Sequence, residues 1–292
     1  MSAVDRSSLA PLPSVIYEPI LDAALREDLG RAGDLTSDAI VPRELRVTGE
    51  LRAREEGRAA GLDVALAVFR RLDPSVRADI HIPDGADVAA GQVIASVEGS
   101  AREMLSAERS ALNLLGRLSG IATVTRQIVR AVEGTGAQIV CTRKTTPLLR
   151  ALEKRAVRLG GGANHRFGLD DAVLIKDNHR AIAGSAAEAV RRARAHAGHL
   201  VKIEIEVDDL TELEDILALG VDAVLLDNMD AATLREAVGI VDGRAITEAS
   251  GGITPATAAD KAGAGVDLLS IGWLTHSAPC FDVGLDVDLG TV

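Results

Sequence analysis

Apolar residues recur at helical spacing over residues 14–29, where Ile16, Ile20, Leu21, Leu25 and Leu29 share a face and Gly30 supplies a stop. Gly33-Asp34-Leu35-Thr36-Ser37 then reads as a loop. Residues 45–100 carry short apolar runs such as Val93-Ile94-Ala95, with turn signals at Pro83-Asp84-Gly85 and Ala90-Gly91. One amphipathic stretch, Val64 to Leu72, predicts a helix among them, so a small α/β domain is expected. Two helices should follow, from about Ala107 to Leu118 and, after Ser119-Gly120, on to about Val132.

From residue 137 the pattern changes. Short apolar runs at Gln138–Thr142, Ala172–Lys176, Val201–Val207, Ala223–Asp227, Ala245–Glu248 and Asp267–Ile271 alternate with helical segments at Ala186–Ala197, Leu210–Ala218, Ala231–Val238 and Pro255–Ala262. A repeated strand–helix order predicts a parallel β/α architecture, and six strands favour a barrel over an open sheet. No GxGxxG run follows any strand, which argues against a dinucleotide-binding sheet.

Composition changes this picture in three ways. With 292 residues the chain can hold a large and a small domain, and aromatics at 2% leave the core to Leu, Val, Ile and Ala. A net charge of −11 excludes a protein-wide basic face for nucleic acid. Two cysteines, Cys141 and Cys280, make no disulfide framework, and no apolar run is long enough for a signal peptide or membrane span, so a cytoplasmic protein is expected. Cys141 reads as a buried strand residue.

In a β/α barrel the chemistry gathers at the C-terminal ends of the strands. Here those ends offer Arg143-Lys144, Lys176, the pair Glu204 and Glu206, Asp227, Glu248 running into Ser250-Gly251-Gly252, and Ile271-Gly272. Between 143 and 180 nine Lys and Arg stand against four Asp and Glu, a surplus of five cations in an acidic chain. His165 and His179 could add to it. Glu153, Lys154, Arg155 and Arg158 read as a surface helix with i,i+4 pairing. Arg143, Lys144, Arg166 and Lys176 remain, and such a cluster predicts a polyanionic ligand. Ser250-Gly251-Gly252, before a helix expected near Thr254-Pro255, and Gly272 with Thr275-His276-Ser277 suit phosphate. Gly160-Gly161-Gly162 exceeds the needs of a helix C-cap and predicts close backbone approach. Acidic groups beside a polyanion site call for Mg²⁺, sugar hydroxyls or a developing positive charge, unless one pairs with Lys202 or a site lysine.

The ordered runs Thr142-Arg143-Lys144-Thr145-Thr146-Pro147, Asn164-His165-Arg166, Leu174-Ile175-Lys176-Asp177-Asn178-His179, Glu204-Ile205-Glu206-Val207, Leu226-Asp227-Asn228 and Glu248-Ala249-Ser250-Gly251-Gly252 resemble the quinolinate phosphoribosyltransferase family. The resemblance covers essentially the whole chain. It implies an N-terminal α/β sandwich domain (1–118) followed by an incomplete, seven-stranded-type β/α barrel (119–279), with residues from about 280 to 292 returning to the first domain. It further implies that quinolinate and phosphoribosyl pyrophosphate are converted, with Mg²⁺, to nicotinate mononucleotide, pyrophosphate and CO₂, in a homodimer with shared sites.

The same resemblance assigns roles. Arg143, His165, Arg166 and Lys176, with Arg109 from a neighbouring chain, would bind the quinolinate carboxylates. Arg150 would lie near the shared site. Thr142 and Lys144 would contact substrate, Lys144 lying at phosphoribosyl pyrophosphate or between the two substrates. Glu206 and Asp227 would hold ribose hydroxyls and Mg²⁺, directly or through water. Ser250, Gly251, Gly252, Gly272 and, more loosely, His276 would cradle the 5′-phosphate. Lys144, Glu206 and Asp227 are the catalytic candidates. One departure stands out: the family places Gly after Thr-Thr-Pro, and here Leu148 follows Pro147. If that position needs φ > 0, Leu148 is strained. Two alternatives remain: a paralogous enzyme for another anionic ring, of molybdenum-operon type, and a non-catalytic anion-binding barrel.

Overall fold

The computed structural model describes residues 9–288, with the side chain of Asp288 left out. Helices α1 (Ser14–Leu29) and α2 (Leu35–Ile40) precede β1 (Arg46–Ala53), β2 (Gly57–Arg58), α3 (Leu62–Leu72), β3 (Arg77–Ile80), β4 (Asp87–Val88), β5 (Val93–Ser100) and the long α4 (Ala101–Ala131). Then come β6 (Gln138–Val140), α5 (Arg150–Leu159), β7 (Val173–Ile175), α6 (Asp177–Ala183), α7 (Ala186–His196) and β8 (Ile203–Val207). The chain ends through α8 (Leu213–Ala218), β9 (Ala223–Asp227), α9 (Ala231–Val241), β10 (Ile246–Ser250), α10 (Ala258–Ala262), β11 (Leu268–Ser270), α11 (Trp273–His276) and β12 (Val283–Asp288).

Two compact units result. The first takes the described part of Met1–Arg126, Thr146–Gly161 and the described part of Ser277–Val292. Its antiparallel sheet runs β12-β1-β5-β3, so β12 returns to pair with β1, for example Leu51 with Leu285. Residues 289–292 lie outside the described residues. The second unit, Gln127–Thr145 with Gly162–His276, holds a parallel sheet in the order β6-β11-β10-β9-β8-β7. That is chain order around a ring, with the seam between β6 and β7. At the seam Ala163 adds a one-residue parallel bridge to Val140, a seventh position in an otherwise six-stranded sheet. The fold is α/β with a barrel-like second unit, and all six expected strands form within a residue or two of their runs.

Four expectations need correction. The two helices expected between 107 and 132 are one helix of 31 residues. Ser119-Gly120 does not interrupt it: Ser119 Oγ takes the Ala60 N–H at 3.0 Å, and a Cβ at Gly120 would strike the Pro279 carbonyl. The glycine is there for packing, inside α4. The loop expected at 33–37 contains the start of α2, with Asp34 Oδ1 accepting the N–H groups of Thr36 and Ser37. Glu153 and Lys154 are not surface charges but buried, at 0% and 1% exposure. Glu153 accepts from Arg117 (Nη2 2.9 Å, Nε 3.1 Å) and from the Thr146 N–H (3.1 Å), while Arg155 pairs with Asp84 at 3.0 Å. Finally, α10 starts at Ala258, not near Thr254-Pro255, and spans only five residues.

The Gly160 expectation holds: a Cβ there would stand 2.6 Å from both the Ala122 carbonyl and Thr125 Cβ, and Gly161 has φ +100°. Replacing Gly120 by Ala forces the Pro279 backbone off α4 and should cost about 1–3 kcal/mol, read as a lower midpoint in urea unfolding. An unchanged midpoint would show that the crossing is loose.

Candidate active site

The register of the parallel sheet brings its chemistry together. Asp227 on β9 is level with Ser250 on β10, and Val140 on β6 with Ser270 on β11, so the residues that follow these strands open onto one end of the sheet. A cavity of about 420 Å³ there is lined by Thr142, Arg143, Lys144, His165, Arg166, Lys176, Asp227, Glu248, Ser250 and Ser270, among others. A second, of about 430 Å³, shares Thr142, Lys144, Asp227, Ser250 and Ser270 and adds Gly251, Gly252, Gly272 and His276. Of the residues singled out from the sequence, twelve thus border these two spaces. Glu206 lies just behind, buried, with Lys176 Nζ donating to it at 2.9 Å. Arg109 and Arg150 belong to the other compact unit; Arg109 is exposed on α4 and makes no ion pair among the described residues.

Among the cations, Lys176 is paired with Glu206, while Arg143 and Arg166 stand next to each other. Arg166 is pushed below the ordinary guanidinium value by its burial first and by the neighbouring Arg143 charge second. Its Nη1 is anchored on the Ala172 carbonyl at 3.0 Å. Arg143 forms no salt bridge, and its buried Nε has no hydrogen-bond partner among the described residues. Two adjacent guanidinium groups kept in this state favour a bound anion. Lys144 is exposed, and its carbonyl is fixed by Thr275 Oγ1 at 2.7 Å. Gly272 leaves room for the Lys144 chain, because a Cβ there would come within 2.8 Å of Lys144 Cδ.

The histidines add no charge to this cluster. His165 Nδ1 accepts the Arg166 N–H at 2.7 Å, so we assign the ring proton to Nε2, which donates to Glu204 at 2.9 Å. Both ring nitrogens are thereby engaged within the protein. His179 Nδ1 likewise accepts the Lys176 N–H at 2.9 Å. Glu204 pairs with His165 and not with Lys202; Glu206 is the acid that pairs with a site lysine.

Two acidic groupings follow from strand β8. Glu204 and Glu248 meet under His165, with Glu248 Oε1 at 3.5 Å from Nε2. Burial first, then the Glu204 charge, pushes the Glu248 carboxyl up to about 7. Nearer the strand end, oxygens of Glu206, Asp208 and Asp227 all lie within 4.8 Å of one another. Sequence reading missed Asp208 and the buried Glu204–Glu248 pairing. Asp208 could have been found by continuing the every-second-residue series from Glu204 and Glu206; the pairing could not, because β8 and β10 are separated by about forty residues of chain. Oxygen donors in this number suit a hard divalent cation, and neither the Lys176 contact with Glu206 nor the Asn228 contact with Asp227 (2.6 Å) uses both carboxylate oxygens.

Leu148 does occupy the left-handed region, with φ +69°, and is 85% exposed. The Leu149 N–H closes a turn on the Thr146 carbonyl at 3.1 Å, with Pro147 second and Leu148 third. A type II turn has this arrangement, and its third position favours glycine.

Comparison with known proteins gives a consistent result. Residues 34–119 match the family model for the N-terminal domain of quinolinate phosphoribosyl transferase, and residues 121–286 that for its C-terminal domain. A Mycobacterium leprae protein named nicotinate-nucleotide pyrophosphorylase (carboxylating) is 48% identical over 90% of this chain and 94% of its own. A Bacillus subtilis protein with the same name, qualified as probable, is 45% identical over 92% and 93%. Among solved structures, NadC from Streptococcus pyogenes superposes with a TM-score of 0.91 at 39% identity, over 96% of this chain and all of that one.

Two predictions follow from the local chemistry. Between about pH 4.5 and about 7 the native protein keeps a proton on Glu248 that the unfolded chain has released, so this group lowers stability as pH rises through that window and has a level effect above it. Glu248→Gln, which carries no charge, should therefore gain in thermal midpoint relative to the parent at pH 8 compared with pH 5; an equal difference at both pH values would contradict the assignment. Leu148→Gly removes about 1–2 kcal/mol of left-handed strain and adds about 0.5–1 kcal/mol of unfolded-chain entropy. Its urea midpoint should match or slightly exceed the parent's, and a clear drop would mean that the Leu148 side chain is needed.

Proposed function

The chain belongs to the quinolinate phosphoribosyltransferase family, and from that membership we propose that it joins quinolinate to phosphoribosyl pyrophosphate, giving nicotinate mononucleotide, pyrophosphate and CO₂ on the way to NAD. The observation that supports this substrate most directly is the pair Arg143 and Arg166, whose like charges stand side by side in a cavity that also admits Lys144 and Lys176. A ring with two adjacent carboxylates supplies the missing charge.

Arg143, Arg166 and Lys176 take the carboxylates. His165, neutral and tied to Glu204, shapes the floor beneath them. Lys144 borders both cavities and so lies between the two substrates, with Thr142 beside it. Ser250, Gly251, Gly252, Gly272 and His276 receive the 5′-phosphate. Glu206 and Asp227 face the ribose, where the anomeric carbon gains positive charge as pyrophosphate departs. The pyridine nitrogen is itself the nucleophile, so these residues orient and stabilise and none need act as a general base. Mg²⁺, bound through Glu206, Asp227 and Asp208 directly or through water, would neutralise the leaving pyrophosphate.

Arg109, exposed and unpaired among the described residues, fits a homodimer in which it serves the partner's cavity. Arg150 is assigned to that shared region as well. No helix among the described residues is long and apolar enough to cross a membrane. Two free cysteines, Cys141 buried and Cys280 exposed, support a cytoplasmic site of action.

Purified protein given Mg²⁺, phosphoribosyl pyrophosphate and quinolinate should release CO₂ and nicotinate mononucleotide. Absence of product would sink this reading, and product from nicotinate alone would redirect it to a paralogue. Lys144→Ala should lower kcat by about a hundredfold or more with an unchanged thermal midpoint. Mixing inactive Arg109→Ala with inactive Lys144→Ala chains should restore part of the activity; none on verified subunit exchange would refute sharing of the site.

A further inference from the structure

The turn after β10 has its carbonyl groups held from behind. Lys261 Nζ, on α10, donates to the Gly251 carbonyl at 2.9 Å and to the Met229 carbonyl at 2.9 Å. Thr257 Oγ1 donates to the Gly252 carbonyl at 3.1 Å. Trp273 Nε1, on α11, donates to the Ile253 carbonyl at 2.7 Å. Three successive carbonyls thus each have a side-chain donor, Thr257 and Lys261 from the start of α10 and the turn of α10 that follows it, and Trp273 from α11.

A trans peptide unit is planar, with its C=O and N–H directed oppositely. Fixing the Gly251 carbonyl therefore fixes the Gly252 N–H the other way, and fixing the Gly252 carbonyl does the same for the Ile253 N–H. Those two N–H groups, and that of Gly251, meet no protein acceptor among the described residues. The three residues line the cavity of about 430 Å³. Gly251 and Gly252 have φ +80° and +60°, and residues so free could turn either peptide plane around if nothing held it. The Ile253 carbonyl is the last in the series, and the N–H that follows it, on Thr254, is already taken by Thr257 Oγ1 at 2.9 Å.

We propose that Lys261 and Thr257 are positioning residues for the phosphate of the phosphoribosyl substrate: by holding the carbonyls of Gly251 and Gly252 they aim the Gly252 and Ile253 N–H groups into the cavity. This rests on the reading of that turn as the phosphate subsite. Lys261 is partly buried, and its burial works against its charge while Asp227 and Asp230 support it. Its two carbonyl contacts direct the ammonium toward the back of the turn and away from direct contact with substrate.

The test compares Lys261→Met, Lys261→Arg and Thr257→Val with the parent enzyme, each with its thermal midpoint. Loss of the carbonyl anchor should raise KM for phosphoribosyl pyrophosphate about tenfold while KM for quinolinate stays within about twofold, and the arginine variant should recover most of the loss. The affinity for inorganic phosphate, read by titration calorimetry, should fall in parallel. An unchanged KM for phosphoribosyl pyrophosphate, or equal rises in both KM values, would overturn the proposal. Should Lys261→Met fail to fold, Thr257→Val decides alone, with the same split expected and its absence refuting the clamp. If the parent makes no nucleotide from quinolinate, the catalytic reading fails, yet phosphate titration of parent and Lys261→Met still tests the clamp; equal affinities would dispose of it.

Discussion

Two positive charges are held close together at the open end of the parallel sheet, and much of the second unit serves to keep them there. Burial raises the cost of the Arg166 charge, and the neighbouring Arg143 adds to it. Repulsion of this kind would drive flexible side chains apart into water. It persists because Arg143 follows a buried strand, and because the Arg166 guanidinium is tied to the Ala172 carbonyl. An anion bound beside Arg166 would offset that cost. Ring-ordered strands with aligned ends are what make such an arrangement rigid.

The acidic groups are separated from these cations by depth along β8. Glu206, at the outer level, pairs with Lys176 and approaches Asp208 and Asp227. Glu204, one pleat deeper, shares the His165 proton and crowds Glu248. The outer group can face a sugar or a divalent cation. The inner group answers a different need: with one carboxyl still protonated near neutrality, a buried layer of two acids and a neutral histidine carries little net charge. One strand with an acid at every second position therefore serves both a reactive surface and its support.

The proposed phosphate subsite divides in a similar way between the backbone that would touch the ligand and the side chains that hold that backbone. Gly251 and Gly252 give the backbone its shape, but glycine alone leaves the direction of each peptide undecided. Donors from Lys261 on α10 and from Thr257 just before it remove that freedom. The short α10 contributes through one lysine side chain and not through a long helix terminus.

Local periodicity alone determined a good deal here. All six strands of the parallel sheet, α1, α3, α7, α8 and α9 are visible as apolar residues recurring every second or every third to fourth position, since each such element must bury one face whatever surrounds it. The cationic surplus at strand ends was visible for the same reason, being a property of neighbours in the chain. Other features depended on partners far away in sequence. Gly120 reads as a break, but a passing Pro279 carbonyl makes it a packing residue inside α4. Glu153 and Lys154 read as surface charges, but their helix turns them inward, where Arg117 meets Glu153. The state of His165, the Glu204–Glu248 contact and the carbonyl clamp of Lys261 all join residues from different strands or helices. Sequence thus set which segments form and which side chains are offered, because those are short-range matters of spacing and sterics; only the closed order of the sheet decided which charges meet, and a charge takes its chemical role from what it meets.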